Sequence, residues 1–147
     1  MSLRIPISRL DPALALPEQA HEHDAGYDLT ARVDAVLDPR GGRALVPTGV
    51  AVAIPAGHAG LVLPRSGLAL RHGVTCLNTP GLIDPPYRGE LKVLLINTDP
   101  HSPYTVHRGD RIAQLVVTAV ESTIDWIEVE SLDETTRDTF GFGSTGR

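Results

Sequence analysis

Glycine and proline interrupt this chain too often for a long helical period to become established. There are 14 Gly and 12 Pro in 147 residues, and between them apolar residues alternate over short runs spaced about ten residues apart. That pattern predicts strands over Leu3–Leu10, Tyr27–Ala31, Val33–Leu37, Ala44–Ile54, Leu61–Leu63, Val74–Leu77, Glu90–Asn97, Tyr104–Val106, Arg111–Val120 and Ile124–Val129. One short helix fits, within Pro64–Gly73, with Ser66 as N-cap and Gly73 as its stop. Many short strands with turn residues between them specify an all-β jelly roll or barrel rather than alternating βαβ units.

The length suits one domain, able to bury roughly two-thirds of its unfolded surface and to hold a core without covalent staples. We expect that domain over residues 1–136, followed by a mobile glycine-rich tail over 137–147. A single cysteine, Cys76, excludes an internal disulfide framework and a multi-cysteine zinc site. Its place in a strand reads as a buried, inert thiol. The formal net charge of −5 argues against stable nucleic-acid binding, which relies on clustered Lys and Arg. The sequence contains no apolar run of membrane length and no charged-then-apolar leader, so a cytoplasmic protein without a membrane role is expected.

The stretch Asn78–Lys92 concentrates features that packing alone does not require. Thr79-Pro80-Gly81 and Asp84-Pro85-Pro86 bracket Leu82 and Ile83, which predicts a short hairpin with Asp84 and Tyr87 facing one way. Pro85 pushes Asp84 out of the helical region and fixes its direction. Taken alone, an ordinary Asp-Pro turn is the better account of Asp84.

Other stretches carry weaker signals. His21-Glu22-His23-Asp24 suits a solvated loop better than a metal site, whereas Asp28, just after the permissive Gly26 and on a strand, can hold a hydrated hard cation. Arg65, Ser66 and Gly67 at a helix start suit phosphate, and a capped helix with a surface arginine is the competing reading. Arg111 and Arg137 are further candidates for a positive subsite. Gln114 sits among apolar neighbours and needs a hydrogen-bond partner if buried. Trp126 reads as a core or interface aromatic. Both phenylalanines, Phe140 and Phe142, fall in the glycine-rich tail; large aromatic surface there implies a docking partner.

Five of these stretches, in order, resemble the motif set of the trimeric dUTPases, the deoxyuridine triphosphate nucleotidohydrolases. They are Ala25-Gly26-Tyr27-Asp28-Leu29; Pro64-Arg65-Ser66-Gly67-Leu68-Ala69; Asn78 to Glu90, containing Gly81, Ile83-Asp84 and Tyr87-Arg88-Gly89-Glu90; Gly109-Asp110-Arg111-Ile112-Ala113-Gln114-Leu115; and the tail from Arg137. The resemblance implies a jelly-roll-like fold of the β-clip type with one short helix. It also implies a homotrimer with shared active sites and hydrolysis of dUTP to dUMP and pyrophosphate.

By position, Asp84 would be the base that activates water, and Asp28 would order waters around Mg²⁺. Asn78 and the backbone of Gly81, Leu82 and Ile83 would read uracil, Tyr87 would exclude a 2′-hydroxyl, and Lys92 closes this substrate-binding stretch. Arg65, Ser66, Gly67, Gln114 and Arg137 would contact phosphate, joined by Gly143, Ser144 and Thr145 of the tail, with Phe142 stacked on the base. Asp138 and Phe140 stand where the family tail usually has glycine, which implies a stiffer, less readily closed tail. The alternatives are a dCTP deaminase, alone or bifunctional, and a non-catalytic nucleotide-sensing or partner-binding module on the same scaffold.

Overall fold

The computed structural model describes residues 2–141. Over them the chain forms eleven strands and one helix. The strands are β1 (Ile7–Arg9), β2 (Tyr27–Thr30), β3 (Ala35–Leu37), β4 (Gly42–Pro47), β5 (Val50–Val52), β6 (His58–Leu63), β7 (Val74–Cys76), β8 (Gly81–Ile83), β9 (Lys92–Asn97), β10 (Tyr104–Val106) and β11 (Arg111–Ala119), and α1 spans Ser66–His72. Every strand pairing is antiparallel. The pairings make a four-stranded sheet β2-β11-β6-β8, a three-stranded sheet β4-β9-β7, and two-stranded ribbons β1-β5 and β3-β10.

Alternation decides what these sheets bury. In β9, Val93, Leu95 and Asn97 point inward and in β5 Val50 and Val52 do so; with Leu29, Leu37, Val46, Val106, Ile112 and Leu115 they form one continuous core. Asn97 is the fully buried polar member, and its amide donates to the carbonyls of Leu37 (3.1 Å) and Ser102 (2.9 Å). Cys76 lies in β7 at 2 % exposure, where burial pushes its thiol up to about 11. The inert reading of that residue agrees with this environment.

Four local expectations are corrected. The run Ala44–Ile54 is two strands, because the chain turns at Thr48-Gly49, where Gly49 has φ +77° and the Thr48 hydroxyl donates to the Leu91 carbonyl at 2.7 Å. The N-cap of α1 is Arg65, extended at φ −96° and ψ 126°, and Ser66 is already helical; Gly73 ends the helix in the left-handed region as expected. Gly81–Ile83 does not fold on its neighbours as a hairpin but pairs with β6. Finally, Ile124–Val129 forms no strand, and Trp126 is 90 % exposed rather than in the core.

Candidate functional site

The first group of candidate side chains gathers where β2, β11 and the β6–α1 junction meet. Asp28 pairs with Gln114 on β11, and Gln114 pairs in turn with Leu63 on β6, so the three occupy one row across the sheet. Gly26 has a concrete role beside that row. A Cβ there would lie 2.2 Å from Gln114 Oε1, so only glycine lets the glutamine side chain fold over the loop. The Gln114 amide donates to the Pro64 carbonyl at 3.0 Å, which meets its need for a partner and fixes it beside α1.

A cleft of about 450 Å³ opens here, lined among others by Asp24, Asp28, Arg65, Ser66, Gly67 and Gln114. Asp28 is 19 % exposed in its side chain and lies between two guanidinium groups, Arg111 Nη1 at 3.3 Å and Arg65 Nε at 3.7 Å. The cleft therefore presents arginines, an amide and one charge-compensated carboxylate, a chemistry suited to a polyphosphate. Among the described residues no three His, Cys, Asp or Glu side chains gather to hold a metal directly. Asp28 alone fits a hydrated cation whose remaining ligands are phosphate oxygens and water. His21 and His23 are both exposed.

The second group lies on and after β8. Gly81 is buried against Val62, and a Cβ on it would come 3.4 Å from Asn78 Nδ2, so Asn78 lies over the backbone of β8. Ile83 packs on the core while Leu82 is 59 % exposed. Asp84 follows, exposed, and its carbonyl accepts from the Tyr87 amide at 3.1 Å to close a turn around Pro85-Pro86. Tyr87 bends back over Gly89, and its hydroxyl donates to the Glu90 carbonyl at 2.9 Å.

Glu90 ties this loop to the interior. Its Oε1 accepts from the Gly49 amide at 2.9 Å and from Arg32 at 3.2 Å. Arg32 also faces Asp11, which Arg108 grips through its two terminal nitrogens, Nη1 and Nη2. The Arg108 hydrogen bonds hold the Asp11 carboxyl down at about 2, against an ordinary 3.8.

The two groups do not meet within one chain. Ile83 pairs with Gly60, three residues back along β6 from the row that holds Asp28, and β8 lies three strands from β2. At about 3.3 Å per residue and about 4.8 Å per strand, Asp28 and Ile83 are roughly 17 Å apart, and Asp84 is one residue further on. Lys92 pairs with Pro47 in the other large sheet. Arg137 is exposed and donates through Nε to the carbonyl of Phe140 at 3.1 Å, within the tail. The expectations for Phe142, Gly143, Ser144 and Thr145 lie outside the described residues.

Sequence reasoning named Arg111 as a charge candidate but gave it no partner, and it missed Asp24, Glu90 and Arg32. Asp24 lines the cleft, Arg111 contacts Asp28, and Glu90 with Arg32 anchors the Tyr87 loop. The pairing of Arg111 with Asp28, like the Glu90 partners, joins positions remote in sequence and left no local signal.

Comparison with known proteins gives a consistent result. The dUTPase family model matches residues 13–146. A deoxyuridine 5′-triphosphate nucleotidohydrolase of Corynebacterium efficiens is 56 % identical over 143 residues, covering 97 % of this chain and 78 % of the relative. One from Mycobacterium tuberculosis is 56 % identical over 151 residues, covering 99 % and 97 %. Among solved structures, the Staphylococcus bacteriophage 80alpha dUTPase with dUpNHpp superposes with a TM-score of 0.85 at 29 % identity, over 99 % of this chain and all of that one. A mutant dUTPase of phage phi11 of S. aureus, described with a structural Mg(II) ion, gives 0.78 at 28 % identity over 90 % of this chain and 100 % of that one.

Proposed function

Because the chain belongs to the dUTPase family, we propose that it hydrolyses dUTP to dUMP and pyrophosphate, with Asp84 as general base. Water attacks the α-phosphorus, its proton passes to the Asp84 carboxylate, and the bond from that phosphorus to the α,β-bridging oxygen breaks to release pyrophosphate. Arg65 and Gln114, with the backbone at Ser66 and Gly67, hold the phosphates, and Arg137 joins them with Gly143, Ser144 and Thr145 when the tail closes. Asn78 and the backbone of Gly81, Leu82 and Ile83 read uracil, Phe142 stacks on it, Tyr87 fills the space a 2′-hydroxyl would need, and Lys92 borders this substrate stretch. Mg²⁺, when bound, supplies charge neutralisation along the triphosphate, and Asp28 orients its water shell.

A general base must come within about 3 Å of the water it serves, yet the Asp84 loop and the Asp28 cleft are far apart in one chain. Each site is therefore built at a boundary between copies in a homotrimer, and the tail over 137–147 completes it over the 1–136 domain. No helix among the described residues is long and apolar enough to cross a membrane. A nucleotide substrate, the −5 charge and the absence of a basic stripe fit a cytoplasmic enzyme that does not bind nucleic acid stably.

The observation that carries the reading is β8 with its flanking turns, where Asn78 lies over the backbone at Gly81 and Asp84 opens the turn from which Tyr87 folds back over Gly89. Pyrophosphate release in Mg²⁺ tests it. The expected order is dUTP far above dTTP, dCTP and UTP. Equal rates on all four would remove the specificity argument, and ammonia from dCTP would replace hydrolysis by deamination.

A further inference from the structure

Across the β2–β11 pair the register slips once. Arg111 faces Thr30 and Gln114 faces Asp28, so three steps along β11 oppose two along β2, and Ile112 is the extra residue. A bulge of this kind changes which way the following side chains point. In a regular strand Arg111 and Gln114, an odd number of residues apart, would project from opposite faces. Here the bulge sends Ile112 and Ala113 both into the core, at 1 % and 0 % exposure, and leaves Arg111 and Gln114 on the same face as Asp28 and Thr30.

Arg111 uses that placement twice. Its Nη1 donates to Asp28 Oδ2 at 3.3 Å, and its backbone carbonyl accepts from Arg65 Nη1 at 3.1 Å. Arg65 Nε meanwhile lies 3.7 Å from Asp28 Oδ1. The result is a closed triangle in which one residue orients both the carboxylate and the neighbouring phosphate-facing guanidinium. Neither Asp28 nor Arg65 has another side-chain partner among the described residues that would fix its direction.

We propose that Arg111 is a positioning residue of this enzyme: delivered by the bulge at Ile112, it sets the direction of the Asp28 carboxylate toward the hydrated Mg²⁺ of the bound nucleotide. The inference rests on the reading that Asp28 orders that water shell. A carboxylate left to rotate presents its oxygens to the shell only part of the time, which weakens cation binding without touching the uracil end of the site.

The test is calorimetric titration of the full-length protein with the non-hydrolysable dUpNHpp at a series of Mg²⁺ concentrations, with dUMP in the absence of metal as a control for an intact fold. Arg111→Ala should raise the Mg²⁺ concentration for half-maximal tightening by about tenfold, the lower end of what loss of a supporting partner does to a metal site. Arg111→Lys, whose ammonium can still pair with Asp28, should recover most of that loss, and dUMP affinity should stay unchanged in both. In an Asp28→Asn background, Arg111→Ala should add little, because its effect runs through Asp28.

An undiminished tenfold in that background would overturn the proposal and show Arg111 acting on phosphate directly. No recovery in Arg111→Lys, or an unshifted midpoint in Arg111→Ala, would overturn it as well. If Asp28→Asn itself leaves the Mg²⁺ dependence unchanged, the assignment of Asp28 falls and takes the proposal with it, an outcome distinct from the others because the single Asp28 variant reveals it.

Discussion

Tyr87 owes its position to a missing methyl group, and Gly89→Ala should move it. A Cβ at position 89 would lie 2.4 Å from the Tyr87 hydroxyl oxygen, 2.6 Å from Cζ and 3.0 Å from Cε2. The first two distances are inside any real carbon contact, so the ring must swing away and give up its 2.9 Å bond to the Glu90 carbonyl. Gly89 is not among the glycines with positive φ, so the backbone accepts alanine without strain. The stability cost is then that of one partly exposed hydrogen bond, about 1 kcal/mol.

Selectivity should suffer more. Rejection of an added hydroxyl by a close-fitting apolar wall is worth on the order of 10²-fold, and a displaced ring should forfeit at least a tenfold part of it. The assay is kcat/KM for dUTP and for UTP, with thermal unfolding alongside. Tyr87→Phe is the companion variant: it loses the same hydrogen bond without forcing the ring to move, and it should keep most of the discrimination. An unchanged dUTP-to-UTP ratio in Gly89→Ala would refute the steric argument. An equal loss in Tyr87→Phe would show that the bond, and not the ring position, sets the preference.

Asp84→Asn should lower kcat by orders of magnitude while dUpNHpp still binds, since the carboxylate is assigned to proton removal and not to affinity; lost binding would make Asp84 structural. Mixing Asp28→Asn and Asp84→Asn proteins under conditions of subunit exchange should restore activity to about a quarter of the sites, if each site takes the two residues from different copies. No restoration would place both in one chain's site. Glu90→Ala removes the acceptor of the buried Gly49 amide and should cost about 1–3 kcal/mol, read from the urea midpoint at fixed protomer concentration, with Glu90→Gln costing less. Because the folded-state value for Asp11 is depressed to about 2 from 3.8, its stabilising contribution is complete above 3.8 and is lost as pH falls through about 2. Asp11→Asn should therefore flatten the fall in melting temperature over that acid window.

What could be read from the sequence was whatever a residue's near neighbours determine. The strand Tyr104–Val106, the helix stop at Gly73 and the buried thiol of Cys76 all follow from local alternation, a left-handed cap and β-propensity. The break at Thr48-Gly49 was hidden because Val46, Val50 and Val52 keep the same two-residue period on both sides of it. The pairing of Gly81–Ile83 with β6 was hidden for a different reason: turn residues predict that a chain reverses, but not which distant strand receives it. The bulge at Ile112 left two adjacent apolar residues as its only trace, and without it the link between Arg111 and Asp28 could not be inferred.

Ile124–Val129 carries a strand's pattern and, within one chain, no strand to pair with. Ile124, Trp126, Ile127, Val129 and Leu132 are 56, 90, 83, 55 and 84 % exposed, on a segment that makes no ladder with the rest of the fold. Burying a side chain of this size is worth about 1.5–3 kcal/mol, so the five together offer roughly 10 kcal/mol. That is the order of the roughly 4–15 kcal/mol that association costs in lost freedom. On the proposed reading, in which the Asp28 cleft and the Asp84 loop come from different copies, the chain thus carries, just before its tail, apolar surface of the right magnitude to hold those copies together. Under the homotrimer proposed above, the alternation misread as an internal strand is apolar surface available for burial against another copy of the chain.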